Sequence, residues 1–326
     1  MATLIITNGD IAAGTLATAR PEATILPWRD VLHDGPVREL SAEEFRAERA
    51  AFLADGVVNT VQSVTAELTE RDALVAGHHG FDRIELWFEH DLYDQLQIVQ
   101  VVDMLVAAGR RQDLYHIPSP RHLGPIPPDR IGELEKLTLP VNAAMFSTAS
   151  AVWSAYRQPA LNALDAVRKE PIAGFPFLGH AIHRALQDLP DANGLTRTER
   201  QMLYSIDRGL TLPGVLFARV LNMEEAAFLG DWGFYSRLSN LAFAAVPLIT
   251  GLTERFEPAV MHDDKRRKAY VTTPLALTTY GAEVLAGNED RAARNVIDFW
   301  LGGTRVTNDN LWRWNDKTET LVAPRK

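Results

Sequence analysis

The N-terminal part of the chain alternates between short apolar runs and longer stretches with helical periodicity. Four apolar runs predict β-strands, at residues 4–6, 24–26, 83–88 and 114–117. The stretches 11–19, 41–54 and 92–108 between them have helical periodicity. This alternation is typical of a mostly parallel sheet with helices on both faces, so we expect a Rossmann-like α/β domain.

Several helix starts are marked by capping residues. Ser41 with Glu44, and Thr196 with Glu199, have the spacing of a capping box, and Asp10 stands where an N-cap would precede helix 11–19. Pro213 lies near the first position of a predicted helix at 212–220.

The C-terminal part reads as three helices followed by short strands. The helices are expected from residue 196, at 212–220 and within 230–243, and the strands at 267–272 and 275–277. This order is the outline of a winged-helix module. Because Pro190–Gly194 is the clearest boundary signal, we predict three parts: an α/β domain at 1–125, a helical connecting region at 126–193, and a helical, winged-helix-like domain at 194–326.

Composition narrows the function classes. The formal net charge of −9 argues against a surface built wholly for nucleic acid, and Lys265–Lys268 is the only dense cationic run, expected in a solvated loop or hairpin tip. The chain has no cysteine, which removes disulfides and thiolate chemistry and fits a cytoplasmic protein. We see no signal-peptide pattern and no apolar run near the roughly 20 residues that span a bilayer, so we expect no membrane partner.

Polar residues cluster at the end of each predicted strand. Ligands of open parallel sheets bind outside the carboxyl ends of the strands, so these residues predict one shared site. The candidate catalytic residues are His33, Asp30, Glu89 and His90. The candidate ligand-binding residues are Asn8, Gly9, Asp10, Arg29, Asp34, Asp91 and Ser119.

Two interpretations of these clusters stay open. Histidine beside carboxylates suits acid–base chemistry or a divalent metal, and the residue spacing does not identify the metal or any cofactor. In the structural alternative, Asp30 pairs with Arg29 or caps a helix, and His33 bonds a loop carbonyl. Asp91 then caps helix 92–108, with Asp94 and Gln95 in its exposed first turn. No dinucleotide fingerprint, P-loop or serine elbow occurs in the sequence.

Three separated motifs carry a family resemblance: TNGD at 7–10, PWRDVLHDGPV at 27–37 and LWFEHDLYDQL at 86–96. With them, residues 3–125 resemble a bacterial family catalogued as domain of unknown function number 1835. The segments 194–206, 228–242 and 277–303 resemble the companion segment that often follows it. The resemblance implies an α/β N-terminal domain and implies no reaction.

The leading hypothesis is an enzyme or ligand-binding protein for a small anionic or nucleotide-like ligand. His33 is its acid–base candidate and Arg29 its anion clamp. One alternative is a ligand-sensing transcriptional regulator that binds DNA through the C-terminal module, and another is a non-catalytic interaction scaffold. Catalysis and oligomeric state do not follow from the residue pattern.

Overall fold

The computed structural model describes residues 2–55 and 60–325, and the chain divides into two compact units. Of the described residues, 2–54, 60–183 and 302–304 form the first unit, and 55, 184–301 and 305–325 form the second. The connecting region predicted at 126–193 is thus divided between the two units. The three-part division of the chain stays a prediction.

The N-terminal part contains the predicted alternation of strands and helices. In chain order its elements are β1 (Thr3–Asn8), α1 (Asp10–Ala19), β2 (Thr24–Trp28), α2 (Ala42–Asp55), α3 (Val61–Ala76), β3 (Arg83–Glu89), α4 (Leu92–Ala107), β4 (Leu114–Ser119), β5 (Leu139–Pro140), α5 (Ala143–Tyr156), α6 (Asn162–Arg168) and α7 (Leu178–Leu186). Short 3-10 helices cover His78–Gly80 and Pro128–Leu137. The four predicted strands are therefore confirmed. Each extends one to three residues beyond the apolar run that predicted it.

These strands form one sheet in the order β2-β1-β3-β4-β5. The ladders β1–β2, β1–β3 and β3–β4 are parallel, and only the short β4–β5 ladder is antiparallel. The predicted α/β fold with a mostly parallel sheet is confirmed. Since β1 lies between β2 and β3, the strand order reverses beside β1, where sheets of this kind place their ligands.

Buried side chains on both faces explain why the strands are continuously apolar. All six residues of β1 are buried, as expected for a parallel strand covered on both sides. Ile5, Trp87 and Ile117, on three neighbouring strands, share one core cluster with Leu16 of α1. Alternating side chains such as Leu4 therefore point to the opposite face.

The C-terminal part is mainly helical, with short strands. Its elements are α8 (Arg197–Asp207), α9 (Pro213–Leu221), α10 (Asp231–Ala242), β6 (Ile249–Thr250), α11 (Pro258–Met261), α12 (Asp264–Thr272), β7 (Ala276–Leu277), α13 (Thr279–Ala286), β8 (Asp298–Leu301), β9 (Thr304–Thr307), β10 (Arg313–Asn315) and β11 (Thr320–Val322), with a 3-10 helix at Arg291–Ala293. Antiparallel ladders join β6 to β7 and β10 to β11. Among the described residues, every helix is too short or too polar to span a bilayer.

One predicted strand is wrong: residues 267–272 belong to helix α12. The Asp263 side chain accepts hydrogen bonds from the backbone N–H groups of Lys265 and Arg266, which caps the helix. Lysine, arginine and alanine then favour helix strongly enough to outweigh the β-branched Val271. The basic run lies on this helix and not at a hairpin tip, so the predicted winged-helix hairpin is not confirmed.

The predicted capping box at the start of α8 is present. The Thr196 hydroxyl accepts from the Glu199 backbone N–H, and the Glu199 carboxylate accepts from the Thr196 N–H. The Ser41–Glu44 box before α2 is present as well. Asp10, in contrast, is the first residue of α1 and not its N-cap, which is Gly9.

Loss of the Thr196 cap should lower the stability of the protein measurably. We expect Thr196→Ala to lower the free energy of unfolding by about 1 kcal/mol, because one N–H at the helix start loses its acceptor. Thr196→Ser keeps the acceptor and should stay close to wild type. Urea denaturation compares the three proteins. Equal losses for alanine and serine would show that the hydroxyl does not stabilise α8.

Candidate functional site

A buried arginine from α2 organises the loop that follows β2. Arg49 is fully buried, and its Nη2 and Nε donate to Asp30 Oδ1 at 2.6 and 3.0 Å. The same guanidinium donates to the backbone carbonyls of Val31, Asp34 and Pro36 at 2.9, 2.9 and 3.1 Å. Asp30 is itself fully buried. This placement favours an anchoring role for the predicted catalytic Asp30.

Side chains from α3 and α4 hold the start of the same loop. The Trp28 indole N–H donates to Gln100 Oε1 at 2.9 Å, and Gln97 Nε2 donates to the carbonyls of Trp28 and Asp30 at 2.9 and 2.8 Å. The Arg71 guanidinium lies 4.1 Å from the centre of the Trp28 ring. Together with Arg49 of α2, side chains from three helices thus hold this loop and the backbone that leads into it.

Arg29 and Asp10 pair with each other at the surface. Arg29 Nε and Nη2 donate to Asp10 Oδ1 at 2.8 and 2.6 Å, and the two side chains are 50% and 69% exposed. The hydrogen bond to Asp10 raises the pKa of Arg29. The predicted anion clamp is therefore occupied by a carboxylate of the chain itself.

His33 lies against Tyr93 of α4. Its buried ring stands edge-on to the Tyr93 ring with 5.9 Å between the ring centres, and its Nε2 is 4.0 Å from Asp34 Oδ2. Burial raises the pKa of Tyr93, and the charges of Asp94 and Asp30 raise it further. Tyr93 consequently keeps its phenolic proton beside His33.

Three side chains meet where β3 ends. Glu89 is the last residue of β3, Asp91 caps α4 by accepting from the Asp94 N–H at 3.1 Å, and His122 follows β4. His122 Nδ1 is 2.6 Å from Glu89 Oε2 and 3.5 Å from Asp91 Oδ2. One ligand atom from each of the three lies within 4.8 Å of the others. We call these three residues the Glu89–Asp91–His122 cluster.

A third carboxyl group, that of Asp94, is hydrogen-bonded to the backbone of Glu89 in this cluster. Asp94 is fully buried, and its two oxygens accept from Asn8 Nδ2 at 2.7 Å and from the Glu89 N–H at 2.6 Å. It therefore joins the ends of β1 and β3. The sequence interpretation that places Asp94 in an exposed first turn is wrong, because the turn is buried beneath the strand ends.

Burial and mutual repulsion shift the acid–base equilibria of the cluster. The pKa of Asp91 rises to about 7 because the side chain is buried and lies near Glu89. Burial, followed by the charges of Asp91 and Glu89, raises the pKa of Asp94 well above its usual range. The hydrogen bond to Glu89 raises the pKa of His122. Burial and the charge of Glu89 thus oppose the ionisation of Asp91 and Asp94, and a cation bound beside them would favour it.

His90 and Ser119 border the cluster without belonging to it. The centre of the His90 ring lies 5.5 Å from that of His122 and 6.0 Å from that of Phe177, and burial lowers the pKa of His90. Ser119 stands opposite Glu89 in the sheet and donates its hydroxyl proton to the Arg121 carbonyl at 2.5 Å. Ser119 thereby shapes the turn that precedes His122.

The structure groups the predicted site residues in two sets. Glu89, His90 and Asp91 lie together, with Asn8 joined to them through Asp94 and Ser119 opposite Glu89 in the sheet. The second set lies in the loop that follows β2 or contacts it. Arg49 binds the Asp30 carboxylate and the Asp34 carbonyl, and His33 contacts Tyr93. Arg29 pairs with Asp10, which follows Gly9. Their catalytic and binding roles stay predictions.

Sequence reasoning left Arg49, Tyr93 and Asp94 out of the site, and it counted His122 among the polar residues at the strand ends without giving it a role. His122 carried a usable signal, since it follows the apolar run of β4 in the same way that Glu89 closes β3. Only the strand order brings the two ends side by side. Arg49 carried no local signal, because it lies within a helical pattern of charged and apolar residues.

The chain is an α/β protein in which carboxylate and histidine side chains cluster at the carboxyl ends of a mostly parallel sheet. No protein-family model and no curated protein matches the chain. The resemblance based on the TNGD, PWRDVLHDGPV and LWFEHDLYDQL motifs therefore stays a hypothesis.

Proposed function

We propose that the first unit binds a small anionic, nucleotide-like ligand through a divalent cation held by Glu89, Asp91 and His122. The observation that carries the proposal is the convergence of their three ligand atoms within 4.8 Å at the carboxyl end of β3. This is the edge of the sheet at which folds of this kind bind ligands.

Charge and ligand chemistry support a cation at this place. Two nearly fully buried carboxyl groups, one of them with a pKa raised to about 7, lie against an imidazole. A divalent ion stabilises the ionised carboxylates and displaces protons from its ligands. A mixed set of two oxygens and one nitrogen suits Mn²⁺ or Zn²⁺ better than Ca²⁺, which prefers oxygen ligands alone.

Three protein ligands leave coordination positions for the anionic ligand, as in catalytic metal sites. A bound cation supplies polarisation of a phosphoryl or carboxyl oxygen and activates water. His90 stands beside His122, and its lowered pKa keeps its imidazole neutral near pH 7 and able to accept a proton. If a cation were held there, His90 would lie where it could take the proton from a water molecule polarised by the cation, which is the chemistry that hydrolysis needs.

Metal titration tests the proposal directly. We expect the metal-free protein to bind Mn²⁺ at one site, followed by electron paramagnetic resonance, and His122→Ala to weaken this binding by at least about tenfold, since one ligand atom is lost. His79→Ala removes an exposed imidazole outside the cluster and serves as the matched control. Absence of Mn²⁺ binding by the wild type, or equal affinity of the His122→Ala protein, would contradict the proposal.

A second titration tests the ligand class. Adenosine diphosphate should bind, by calorimetry, only in the presence of Mn²⁺, because its phosphates complete the coordination of the cation. Nucleotide binding that is unchanged by chelation of the metal would place the ligand elsewhere.

The winged-helix arrangement of the second unit also remains a proposal. It is supported by three successive helices, α8 to α10, followed by the antiparallel β6–β7 ladder. DNA binding receives less support, since Arg266 pairs with Glu254 and Arg267 pairs with Asp264. Duplex DNA that fails to bind even at low salt would remove that alternative.

A further inference from the structure

An apolar aromatic side chain borders the Glu89–Asp91–His122 cluster and has no part in the cation site. The centre of the Phe177 ring lies 6.0 Å from that of His90, and the centre of the His90 ring lies 5.5 Å from that of His122. Phe177 and His122 are therefore separated by no more than these two short steps. A row of three rings leads from Phe177 to a ligand of the proposed cation.

The turn that carries Phe177 is fixed by buried neighbours. Phe175 is 2% exposed, and its ring centre lies 5.6 Å from that of His116 in β4. Gly174 has a left-handed φ of 77°, and a Cβ at this position would overlap the side chain of Met145, so the turn requires glycine. Phe177 itself is only half-buried. Its ring is thus held in place at the site and still has apolar area to offer.

A ring in this position favours a ligand that carries a flat aromatic group. Nucleobases stack on aromatic side chains, and every base has a π face for such a contact. Phe177 is the only member of the row of three rings without a polar atom. The short separation between Phe177 and His122 also suits a nucleotide, in which a sugar joins the base to the phosphate.

A second apolar side chain near this edge of the sheet is Ile11. It is 79% exposed in the first turn of α1, and a Cβ on Gly124, two residues after His122, would overlap its Cγ2 atom. Ile11 therefore lies against the loop that carries His122. An aliphatic side chain has no π face, so Phe177 is the better contact for a base.

We propose that the ligand of the Glu89–Asp91–His122 cluster is a nucleotide whose base stacks on Phe177 while its phosphate binds the cation. The inference rests on the proposed function, because the cation holds the phosphate. It adds a specificity-determining residue: the cation binds any small phosphate, and Phe177 selects those that carry a base.

Two matched phosphates test this selection on the full chain loaded with Mn²⁺. Adenosine monophosphate and ribose 5-phosphate share the sugar and the phosphate, and only the first has a base. By isothermal calorimetry, adenosine monophosphate should bind about tenfold more tightly or better, since the stacking contact is made by the base alone.

Variants assign the preference to Phe177. Phe177→Leu keeps an apolar side chain and removes the π face, so it should weaken adenosine monophosphate about tenfold. It should leave the affinities for ribose 5-phosphate and for Mn²⁺ unchanged. Phe177→Tyr keeps the ring and should bind adenosine monophosphate like the wild type. Thermal unfolding verifies that each variant is folded.

Phe146→Leu is the matched control. Phe146 is also half-buried, and the Arg111 guanidinium lies 5.6 Å from its ring centre, beyond the C-terminal end of α4. The cluster lies at the N-terminal end of that helix, whose 16 residues span about 24 Å. This variant should therefore bind both phosphates like the wild type.

Several results, each obtained with Mn²⁺ bound, would overturn this inference alone. They are the absence of adenosine monophosphate binding, equal affinity of the wild type for the two phosphates, and equal binding of adenosine monophosphate by the wild type and Phe177→Leu. Equal weakening of both phosphates in Phe177→Leu would show that the ring only shapes the site. Loss of the preference in Ile11→Ala but not in Phe177→Leu would place the base on Ile11. A wild type that binds no Mn²⁺ would instead overturn the proposed function, and this inference with it.

Discussion

Arg49→Met is expected to lower the free energy of unfolding by about 3–5 kcal/mol, the cost of breaking a buried ion pair by removing one partner. The change leaves the buried Asp30 carboxylate with only the looser 3.9 Å contact to Arg71, and it removes the donor to the carbonyls of Val31, Asp34 and Pro36. Guanidinium denaturation of the wild type and the variant measures the loss.

A surface arginine provides the control. Arg38 is half-exposed and pairs with Glu48 of the same helix that carries Arg49, so Arg38→Met should cost at most about 1 kcal/mol. The double variant Arg49→Met/Asp30→Leu should recover part of the loss, since no lone charge stays buried. If Arg49→Met and Arg38→Met lost equal amounts, the buried pair would not anchor the loop after β2.

The stability of the metal-free protein should fall as the pH rises from about 4 to about 7, because Asp91 must then ionise inside the fold. Its pKa is about 7 in the folded protein and 3.8 when unperturbed, so the folded state binds more protons between these values. The contribution of Asp91 to the free energy of unfolding is fully present below the pKa that it has in the unfolded chain. This contribution is lost as the pH rises toward its pKa in the folded protein. The free energy of unfolding should fall by an amount on the order of a few kcal/mol, at about 1.4 kcal/mol for each pKa unit by which Asp91 is shifted.

Asp91→Asn tests the assignment, since asparagine can still accept the Asp94 N–H but does not titrate. Its unfolding free energy, measured by urea denaturation across this pH range, should vary less than that of the wild type. Asp10→Asn removes a carboxylate that is 69% exposed and should leave the pH dependence intact. An unchanged slope in Asp91→Asn would assign the dependence to another group. Addition of Mn²⁺ should offset the fall in the wild type, because the cation stabilises ionised Asp91.

Local patterns predicted the elements and much of the first unit. The apolar runs predicted β1 to β4, and the Ser41–Glu44 and Thr196–Glu199 spacings predicted two helix starts, because a capping bond spans only three residues. A local pattern failed at 267–272, where the cap at Asp263 and the helix formers after it favoured α12 over a strand. The polar ends of parallel strands also predicted that Glu89 and Asp91 belong to a shared edge of the sheet.

Tertiary packing decided which polar residues meet. Asp30 and Arg49 stand 19 residues apart, and Glu89 and His122 stand 33 apart, so no local spacing links them. Their pairing depends on how α2 packs beside the loop after β2 and on β4 lying next to β3. The amino-acid sequence by itself determined where β1 to β4 and the capped helices α2 and α8 lie, and which side chains stand at the ends of those strands. The fold alone determined that Asp30 is held by Arg49 while Glu89, Asp91 and His122 converge, because burial and charge pairing depend on residues that are distant in the chain.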